Sequence, residues 1–345
     1  MAKKIKKAQK WLLIIFGLMF VGAMLFTAFT YMVFFIPNLY EDKVLYIEKG
    51  STSTDLFEYV EKENIVKNTL LLKIAAKIAG YDQNIIPGRY ELNNIRSNFE
   101  LIKKLRKGRQ DAVNFRFHNI RLKKDFAGKL GECFEADSAQ FIQLLNDENI
   151  ADQYGFTSEN FYTMFIPNTY NIYWNTSPGS IIKRFNIEYK QFWNEERTAK
   201  AKKMDLTPQE VSILASIVQG EVIHSEEMPK VAGLYINRLE KGLLLQADPT
   251  VVFAANDFTI RRVLKKHLLI ESPYNTYLNK GLPPGPINMP SIAAIDAVLN
   301  HEKHDYIFMS AKEDLSGYHN FNINLTDHQR DARKYQRELD KRNIK

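Results

Sequence analysis

The chain has 345 residues, of which 45% are hydrophobic and 12% aromatic, and this is enough for one or two packed domains. Its net charge of +7 is concentrated at the N-terminus, which carries five lysines and no acidic residue before position 37. The rest of the chain is almost balanced in charge. This argues against nucleic acid as the main partner, because a phosphate-binding surface normally makes a domain clearly basic. Cys133 is the only cysteine, which excludes an intrachain disulfide.

The first predicted element is a transmembrane helix over residues 11–36, which contain no charged residue. The segment exceeds the roughly 20 residues needed to span a bilayer. A cleavable signal peptide has an apolar core of only about 7–15 residues, so we expect a retained anchor. The basic tail over residues 1–10 is predicted to be cytoplasmic, because positive charge favours that side. Everything after a linker at 37–42 is then extracytoplasmic, or periplasmic in a Gram-negative cell.

Residues 43–110 are predicted to form a small α+β module. The pattern indicates a strand at 44–47, a helix that follows the polar segment 50–54, a helix over 68–79, a strand at 87–92 and a helix that begins after Ser97 and ends at Gly108. Residues 111–345 are predicted to form a second, mainly helical domain with short strands. Its predicted elements are strands at 113–117 and 306–309, and helices at 122–130, 138–146, from Thr207, 229–241, after Pro249, 291–301 and from Thr326. The chain is therefore predicted to be α+β.

The helix from Thr207 is the most informative for function. Thr207, Pro208 and Glu210 are typical of a helix start with a capping box. Steps of three, four and seven residues place Leu214, Ile217 and Glu221 on one stripe, so Glu221 continues an apolar row at the end of the helix. Burial there would raise the pKa of Glu221 and keep it protonated, as a general acid requires. A solvated surface glutamate is the alternative.

Polar and backbone-fixing residues follow this helix in four clusters. They are Asn237-Arg238-Leu239, Leu245 to Thr250, Ser272 to Tyr277 and Gly281 to Ile287. Loops this rich in Pro, Gly, Asn and Tyr are typical of the walls of a polar cleft. The segment from Phe165 to Tyr170 is interpreted either as another cleft wall or as core.

With these motifs the chain resembles the endolytic murein transglycosylases of the YceG-like (MltG) family. The resemblance runs through Leu214 to Glu221, Val231 to Leu239 and the downstream clusters, and includes His319 to Asn322 near the C-terminus. One position departs from the pattern, because many members carry glutamate where this chain has Gln219. The stripe and the retained carboxyl group both favour Glu221 as the acid.

The resemblance implies a membrane-anchored lytic transglycosylase. Such an enzyme cleaves the MurNAc-β-1,4-GlcNAc bond within nascent peptidoglycan strands, and the MurNAc 6-hydroxyl group attacks to leave a 1,6-anhydro end. Glu221 is expected to act as acid and then as base. The residues expected to bind the sugars or orient the acid are Asn237, Gln246, Asp248, Tyr274, Asn275 and Tyr277. Structural roles are the alternative for Asp248, as a helix cap, and for Arg238, as its ion-pair partner. Residues 43–110 are expected to be LysM-like, or else a spacer without sugar affinity, and cell-wall synthases are expected partners.

Three other functions stay open. The first is a two-carboxylate muramidase, in which Asp248 or Glu227 activates water. The second is a catalytically silent peptidoglycan-binding scaffold, and the third is a membrane-tethered interaction protein without glycan affinity. No cofactor and no metal site is predicted, because His301 and His304 do not have the spacing of a zinc protease motif and no nucleotide-binding or serine-hydrolase motif occurs.

Overall fold

The computed structural model of the protein describes residues 2–342, and for residues 2–6 and 8 it describes the backbone alone. The predicted cytoplasmic charges of Lys3, Lys4 and Lys6 and the last three residues of the predicted second domain therefore lie outside the described residues. The described chain is mostly helical with short strands, which confirms the mixed α+β class.

The α-helices are α1 (Ala2–Phe34), α2 (Ser53–Lys62), α3 (Thr69–Ile78), α4 (Asn98–Arg106), α5 (Lys123–Cys133), α6 (Ser138–Asn146), α7 (Glu148–Gln153), α8 (Pro178–Phe192), α9 (Glu195–Lys203), α10 (Pro208–Glu221), α11 (Met228–Glu240), α12 (Asp248–Ala255), α13 (Ile292–Leu299) and α14 (Leu325–Lys341). The strands are β1 (Val44–Ile47), β2 (Gly88–Glu91), β3 (Ala112–Arg116), β4 (Thr169–Tyr173), β5 (Phe308–Ala311) and β6 (His319–Asn322). They form three two-stranded sheets, β1–β2, β3–β4 and β5–β6.

Helix α1 contains the predicted membrane segment. Residues Gln9–Phe34 are long and apolar enough to cross a bilayer, and an 18-residue apolar window of this stretch has no residue buried inside the protein, although Val33 near its end packs into the hydrophobic core. Its exposed side chains include Leu13 and Phe26, which a soluble surface would not display in such number. The helix is compatible with a single-pass membrane anchor.

The chain divides into two compact units, which we call the N-terminal unit and the C-terminal unit. The N-terminal unit comprises the chain up to Val113 together with Asn171–Thr176. Strands β1 and β2 pair antiparallel with Val44 opposite Glu91, and α2 and α3 lie between them in sequence. Their buried faces enclose Leu45, Val60 and Tyr90. The finer predicted division into linker, module and catalytic domain remains a prediction.

The C-terminal unit comprises Asn114–Tyr170 and Ser177 onward, and one part of its core is aromatic. Phe115, Phe117, Phe126 and Phe185 are almost completely buried and contact one another. Tyr170 stacks on Phe117 in the same cluster. Phe165, Ile166 and Pro167 are buried as well, whereas Asn168 and Thr169 are exposed, so most of the segment from Phe165 to Tyr170 belongs to the core.

Helix α10 runs through the rest of this core. Every residue from Val211 to Val218 is buried, and the helix packs against α11 and α13. Ser216 holds the loop before α13, because its hydroxyl accepts the Ile287 N–H and its carbonyl accepts the Asn288 side chain. Strand β5 begins two residues later than predicted. Its antiparallel ladder with β6 starts at the pair of Phe308 and Asn322, where β6 ends.

Candidate active site

The candidate active site is built at the C-terminal end of α10. The predicted capping box is present: the Thr207 side chain accepts the Glu210 N–H, and the Glu210 carboxylate accepts the Thr207 N–H at 2.7 Å. The helix ends at Glu221, after two turns in which every side chain is buried. The start and the length of α10 therefore place Glu221 at the edge of the core.

Glu221 is half-buried, and its carboxyl group is held by a neighbouring helix. The Tyr235 hydroxyl, on α11 and only 1% exposed, donates a hydrogen bond of 2.7 Å to Glu221 Oε1. Burial raises the pKa of Glu221 to about 8, and this outweighs the lowering caused by the Tyr235 hydrogen bond. Near neutral pH the carboxyl group is therefore mostly protonated, as a general acid must be.

Asp248 is brought next to Glu221 by a close approach of two helices. A Cβ atom on Gly220 would lie 2.9 Å from Cβ of Pro249, so only glycine lets the start of α12 come this near to α10. The negative charge of Asp248 raises the pKa of Glu221, while a hydrogen bond from its backbone lowers it. Asp248 is exposed when the whole residue is considered, but its carboxyl group is partly removed from water, and this raises its pKa. The carboxyl group also accepts a hydrogen bond of 2.6 Å from the Tyr277 hydroxyl, which lowers the pKa in part.

Two cavities meet at these carboxyl groups, because Glu221, Asp248 and Tyr335 line both of them. The larger, which we call the basic cavity, has a volume of about 660 Å³ and is also lined by Arg121, Arg261 and Arg262. The smaller, which we call the histidine cavity, has a volume of about 450 Å³ and is lined by residues that include Tyr235, Gln246, Tyr277, His319 and His328. The acid thus faces space on two sides.

Gln219, the position that departs from the family pattern, lines neither of these cavities. Its side-chain oxygen Oε1 accepts the Ser291 backbone N–H at 2.8 Å, and its side-chain nitrogen Nε2 donates to Asn119 Oδ1 at 3.3 Å. It therefore fastens the first residues of α13 to α10. Gln219 is thus used in packing, and the chain keeps the carboxyl group at position 221.

The two structural roles that the sequence left open as alternatives are wrong. Ala247, and not Asp248, is the N-cap of α12, because Asp248 already has helical geometry and its carboxylate faces Tyr277. Arg238 does not pair with Asp248. It donates to the carbonyl oxygens of Leu244 and Ile307 and to Gln246 Oε1, at 2.6–2.7 Å, and so holds the Leu245 to Ala247 loop.

The six predicted binding residues differ in position. Gln246, Asp248 and Tyr277 line the histidine cavity beside Glu221. Asn237 and Asn275 instead donate their amide hydrogens to backbone carbonyls, of His304 and Tyr306 in one case and of Leu268 and Ile270 in the other. Tyr274 packs its ring against Phe253, a residue of the basic cavity, at 4.8 Å between centroids. Substrate contact by any of the six remains a prediction.

Sequence reasoning missed Tyr235 and the pairing of His319 with Glu227. Tyr235 follows the buried residues Val231 to Leu234 of α11, where a tyrosine is usually interpreted as core, and the available signal for a polar role was Arg238, three residues later on the same face. His319 Nδ1 lies 2.9 Å from Glu227 Oε2, and its backbone N–H also donates to Glu227. The Glu227 carboxylate is thus hydrogen-bonded to His319.

Across residues 2–342 no group of three or more His, Cys, Asp or Glu side chains is arranged to hold a metal ion.

The fold and the site together define a class: mainly helical α+β proteins with an apolar N-terminal helix and one protonated carboxyl group where two cavities meet. The family model of the YceG-like family matches residues 45–334, and the chain belongs to this family. The predicted family and the predicted enzyme class, lytic transglycosylase, are confirmed.

Two relatives carry the same name, endolytic murein transglycosylase. The protein from Bacillus subtilis (strain 168) is 28% identical, over 84% of this chain and 83% of its own length. The protein from Streptococcus pneumoniae serotype 2 (strain D39) is 26% identical over 83% of this chain but only 57% of its own length, so the chain spans just over half of that relative. The crystal structure of a yceG-like protein from Listeria monocytogenes has the same fold, with a TM-score of 0.54, 23% identity and coverage of 84% of this chain and 98% of that one.

Proposed function

We propose that this chain is a membrane-anchored lytic transglycosylase that cleaves the MurNAc-β-1,4-GlcNAc bond within nascent peptidoglycan strands and leaves 1,6-anhydroMurNAc ends. The observation that carries the proposal is the position of Glu221, a half-buried carboxyl group with a pKa raised to about 8, where two cavities meet. Space on both sides of the acid suits a strand that continues in both directions. The names of the two relatives support the substrate.

In the first step Glu221 gives its proton to the glycosidic oxygen while the bond from that oxygen to C1 of MurNAc breaks. The raised pKa keeps this proton available near neutral pH. The Tyr235 hydroxyl, whose own pKa is raised well above 10, remains protonated and stabilises the carboxylate that the transfer leaves behind.

In the second step the MurNAc 6-hydroxyl oxygen forms the new bond to C1, and its proton passes to the Glu221 carboxylate. The acid is thereby regenerated without water. One carboxyl group suffices because the nucleophile is already attached to the sugar, which gives it a high effective concentration. Gln246, Asp248 and Tyr277 are proposed to hold the sugars in the histidine cavity, and Tyr274, Asn275 and Asn237 to support them.

A muramidase in which Asp248 activates water is the second candidate, because Asp248 lines both cavities next to Glu221. Glu227 is less suited to that role, since its carboxylate is held by His319. Ordinary glycosidases divide the acid and base roles between two such carboxyl groups. The products separate the two functions, because hydrolysis leaves a reducing end and transglycosylation leaves an anhydro end.

We also propose that α1 anchors the chain with its N-terminus in the cytoplasm and the cleft outside, where nascent strands and their synthases lie. The N-terminal unit is proposed to contain a LysM-like module. The chain order β1–α2–α3–β2, with β1 and β2 antiparallel, supports this. Nucleic acid is not a proposed partner.

Mass spectrometry of the products tests the proposal. The full-length chain in detergent is incubated with nascent, uncrosslinked strands, and the soluble fragments are analysed. We expect internal cuts that end in 1,6-anhydroMurNAc. Reducing ends would favour the muramidase, and intact strands that nonetheless bind the protein would favour a silent scaffold.

A further inference from the structure

Three arginine side chains line the basic cavity beside Glu221: Arg121, Arg261 and Arg262. All three are exposed, and among the ion pairs within residues 2–342 none involves them. The Arg121 guanidinium lies 5.1 Å from the centroid of the Phe258 ring, a contact that fixes its position without neutralising its charge. These cations are therefore available to a ligand.

The acidic groups of the cavity do not cancel this charge. Among the described residues, two carboxyl groups line it, those of Glu221 and Asp248. Glu221 is mostly protonated near neutral pH, and Asp248 is engaged by Tyr277. Three guanidinium groups thus face at most one full negative charge, and the cavity attracts an anion.

Aromatic rings lie beside the cations. Phe253 and Phe258 line the same cavity, with 6.4 Å between their centroids, and the Tyr274 ring packs against Phe253. Ring faces suit the apolar faces of sugars, while guanidinium groups form paired hydrogen bonds with carboxylates or phosphates. A sugar that carries an anionic group matches both features.

We propose that the basic cavity binds an anionic substituent of the glycan strand through Arg121, Arg261 and Arg262, next to the bond that is cut. This rests on the proposed function and adds a determinant of specificity to it. Two sources have the required chemistry: the carboxylates of the peptide stems, which recur along the strand, and the diphosphate of a lipid carrier at its end.

The segment that contains Arg261 and Arg262 also has exposed Leu264 and Leu269, with Lys265 and Lys266 between them. Basic and apolar residues together are typical of contact with an anionic membrane surface. We favour the strand, because Arg261 and Arg262 line the cavity that holds Glu221 and Arg121 joins them from a distant part of the sequence. Membrane contact is one outcome of the test.

The test measures kcat/KM of the full-length chain, reconstituted in vesicles, on three kinds of strand. The first has acetylated peptide amines and free carboxylates. The second is the same strand with its carboxylates capped as methylamides, and the third is the capped strand still joined to its lipid diphosphate. The variant is Arg261→Ala/Arg262→Ala. Its matched control is Lys202→Ala/Lys203→Ala, which removes two adjacent exposed charges from α9, outside the cavity.

If carboxylates bind, the wild type and the control should prefer the free-carboxylate strand about tenfold over the capped one, and the arginine variant should lose this preference. If the diphosphate binds, the preference should instead be for the lipid-linked strand and be lost in the same variant. Arg261→Lys/Arg262→Lys should retain part of the preference, because charge remains without the paired geometry.

The inference is overturned if the wild type has no preference, or if the arginine variant keeps it. It is also overturned if the arginine effect depends on adding phosphatidylglycerol to phosphatidylcholine vesicles and not on the strand, which would indicate membrane contact. Failure of the proposed function is a distinct result, because the wild type would then release no anhydro ends from any of the three strands. Thermal unfolding of each variant establishes that it is folded.

Discussion

The two units of this chain bury polar groups in different ways. In the N-terminal unit Tyr90 is completely buried, and its hydroxyl donates to the Ile86 carbonyl at 3.1 Å. In the C-terminal unit Tyr235 is equally buried, but its hydroxyl donates to the ionisable carboxyl group of Glu221. Burial raises the pKa of both tyrosines.

The difference lies in what the buried group contacts. Tyr90 donates to a backbone carbonyl inside a packed core, so we expect a change at this position to alter stability and not cleavage. Glu221 and Tyr235 contact each other and line a cavity, so a proton can move between Glu221 and a ligand. A shifted pKa therefore indicates a functional site here only in combination with a partner group and open space.

The largest expected effect is that of Glu221→Gln. The amide keeps the shape of the side chain and can accept the Tyr235 hydrogen bond, but it cannot donate a proton as an acid does. We expect strand cleavage to fall by about 1,000-fold, measured as the rate of anhydro-end formation.

The comparison for this variant is Asn98→Ala in the N-terminal unit. Asn98 is completely buried and bonds to the Val33 carbonyl and to Asn38. Its loss should lower the free energy of unfolding by about 2 kcal/mol and leave turnover per folded molecule unchanged. Normal cleavage by Glu221→Gln would contradict the assignment of the acid.

Tyr235→Phe should have the next largest effect. The hydroxyl lowers the pKa of Glu221, so without it that pKa should rise further above its value of about 8. Activity requires the protonated acid, and the decline of kcat/KM at alkaline pH should therefore move to higher pH. Loss of the positioning contact should also reduce kcat/KM near neutral pH by about tenfold.

Tyr90→Phe is the matched control, since it removes a hydroxyl from an equally buried tyrosine. It should change the denaturation midpoint and leave the pH profile of cleavage where it is. An unchanged profile for Tyr235→Phe would show that its hydroxyl does not influence the acid.

The pH dependence of stability should have opposite signs in the two units. Glu221 has an ordinary pKa of 4.5 when unfolded and about 8 when folded. Below pH 4.5 it is protonated in both states and costs nothing. As the pH rises toward 8, unfolding releases a proton and becomes more favourable. Allowing for its partial exposure, the wild type should be less stable than Glu221→Gln by about 2 kcal/mol at pH 8, and the difference should vanish near pH 4.5.

Glu100 in the N-terminal unit should behave in the reverse way. Backbone N–H groups of Arg96 and Ser97 lower its pKa, so it stabilises the fold above its ordinary pKa and this contribution is lost as the pH falls. Denaturant unfolding at several pH values, followed by fluorescence of the buried Trp193 for the C-terminal unit, measures the Glu221 difference. A Glu221→Gln variant that is less stable than the wild type at pH 8 would contradict the raised pKa.

The sequence predicted what local interactions determine. The capping box at Thr207, the length of α10 and the position of Glu221 at its end depend on residues within a few turns of one another. The contacts that complete the site are distant in sequence. Tyr235 follows Glu221 by 14 residues on another helix, and the basic cavity joins Arg121 to Arg261. No spacing rule connects such residues, because tertiary packing decides which ones meet.

The same reason explains the wrong predictions. An aspartate before proline is a good cap by local rules, yet Asp248 is turned toward Tyr277 by the packing of α12 on α10. An ion pair with Asp248 was the alternative role of Arg238, but three acceptors from two loops surround its guanidinium group. In each case a long-range contact replaced a local one.

The smallest expected effects are those of the helix caps, and here the two units should agree. The hydroxyl groups of Thr52 and Thr207 each accept the backbone N–H of the residue three positions later. In return, the backbone N–H of each threonine donates to the carboxylate of that later residue, Asp55 or Glu210. Thr52→Ala and Thr207→Ala should each lower the free energy of unfolding by about 1 kcal/mol. Neither should alter the pH profile of cleavage, although α10 ends in the proposed catalytic acid, because the cap lies 14 residues before it and the buried body of the helix fixes its end. A shifted profile in Thr207→Ala alone would mean that fraying at the start of α10 reaches Glu221, and that the acid is held less rigidly than its contacts with Tyr235 and α12 imply.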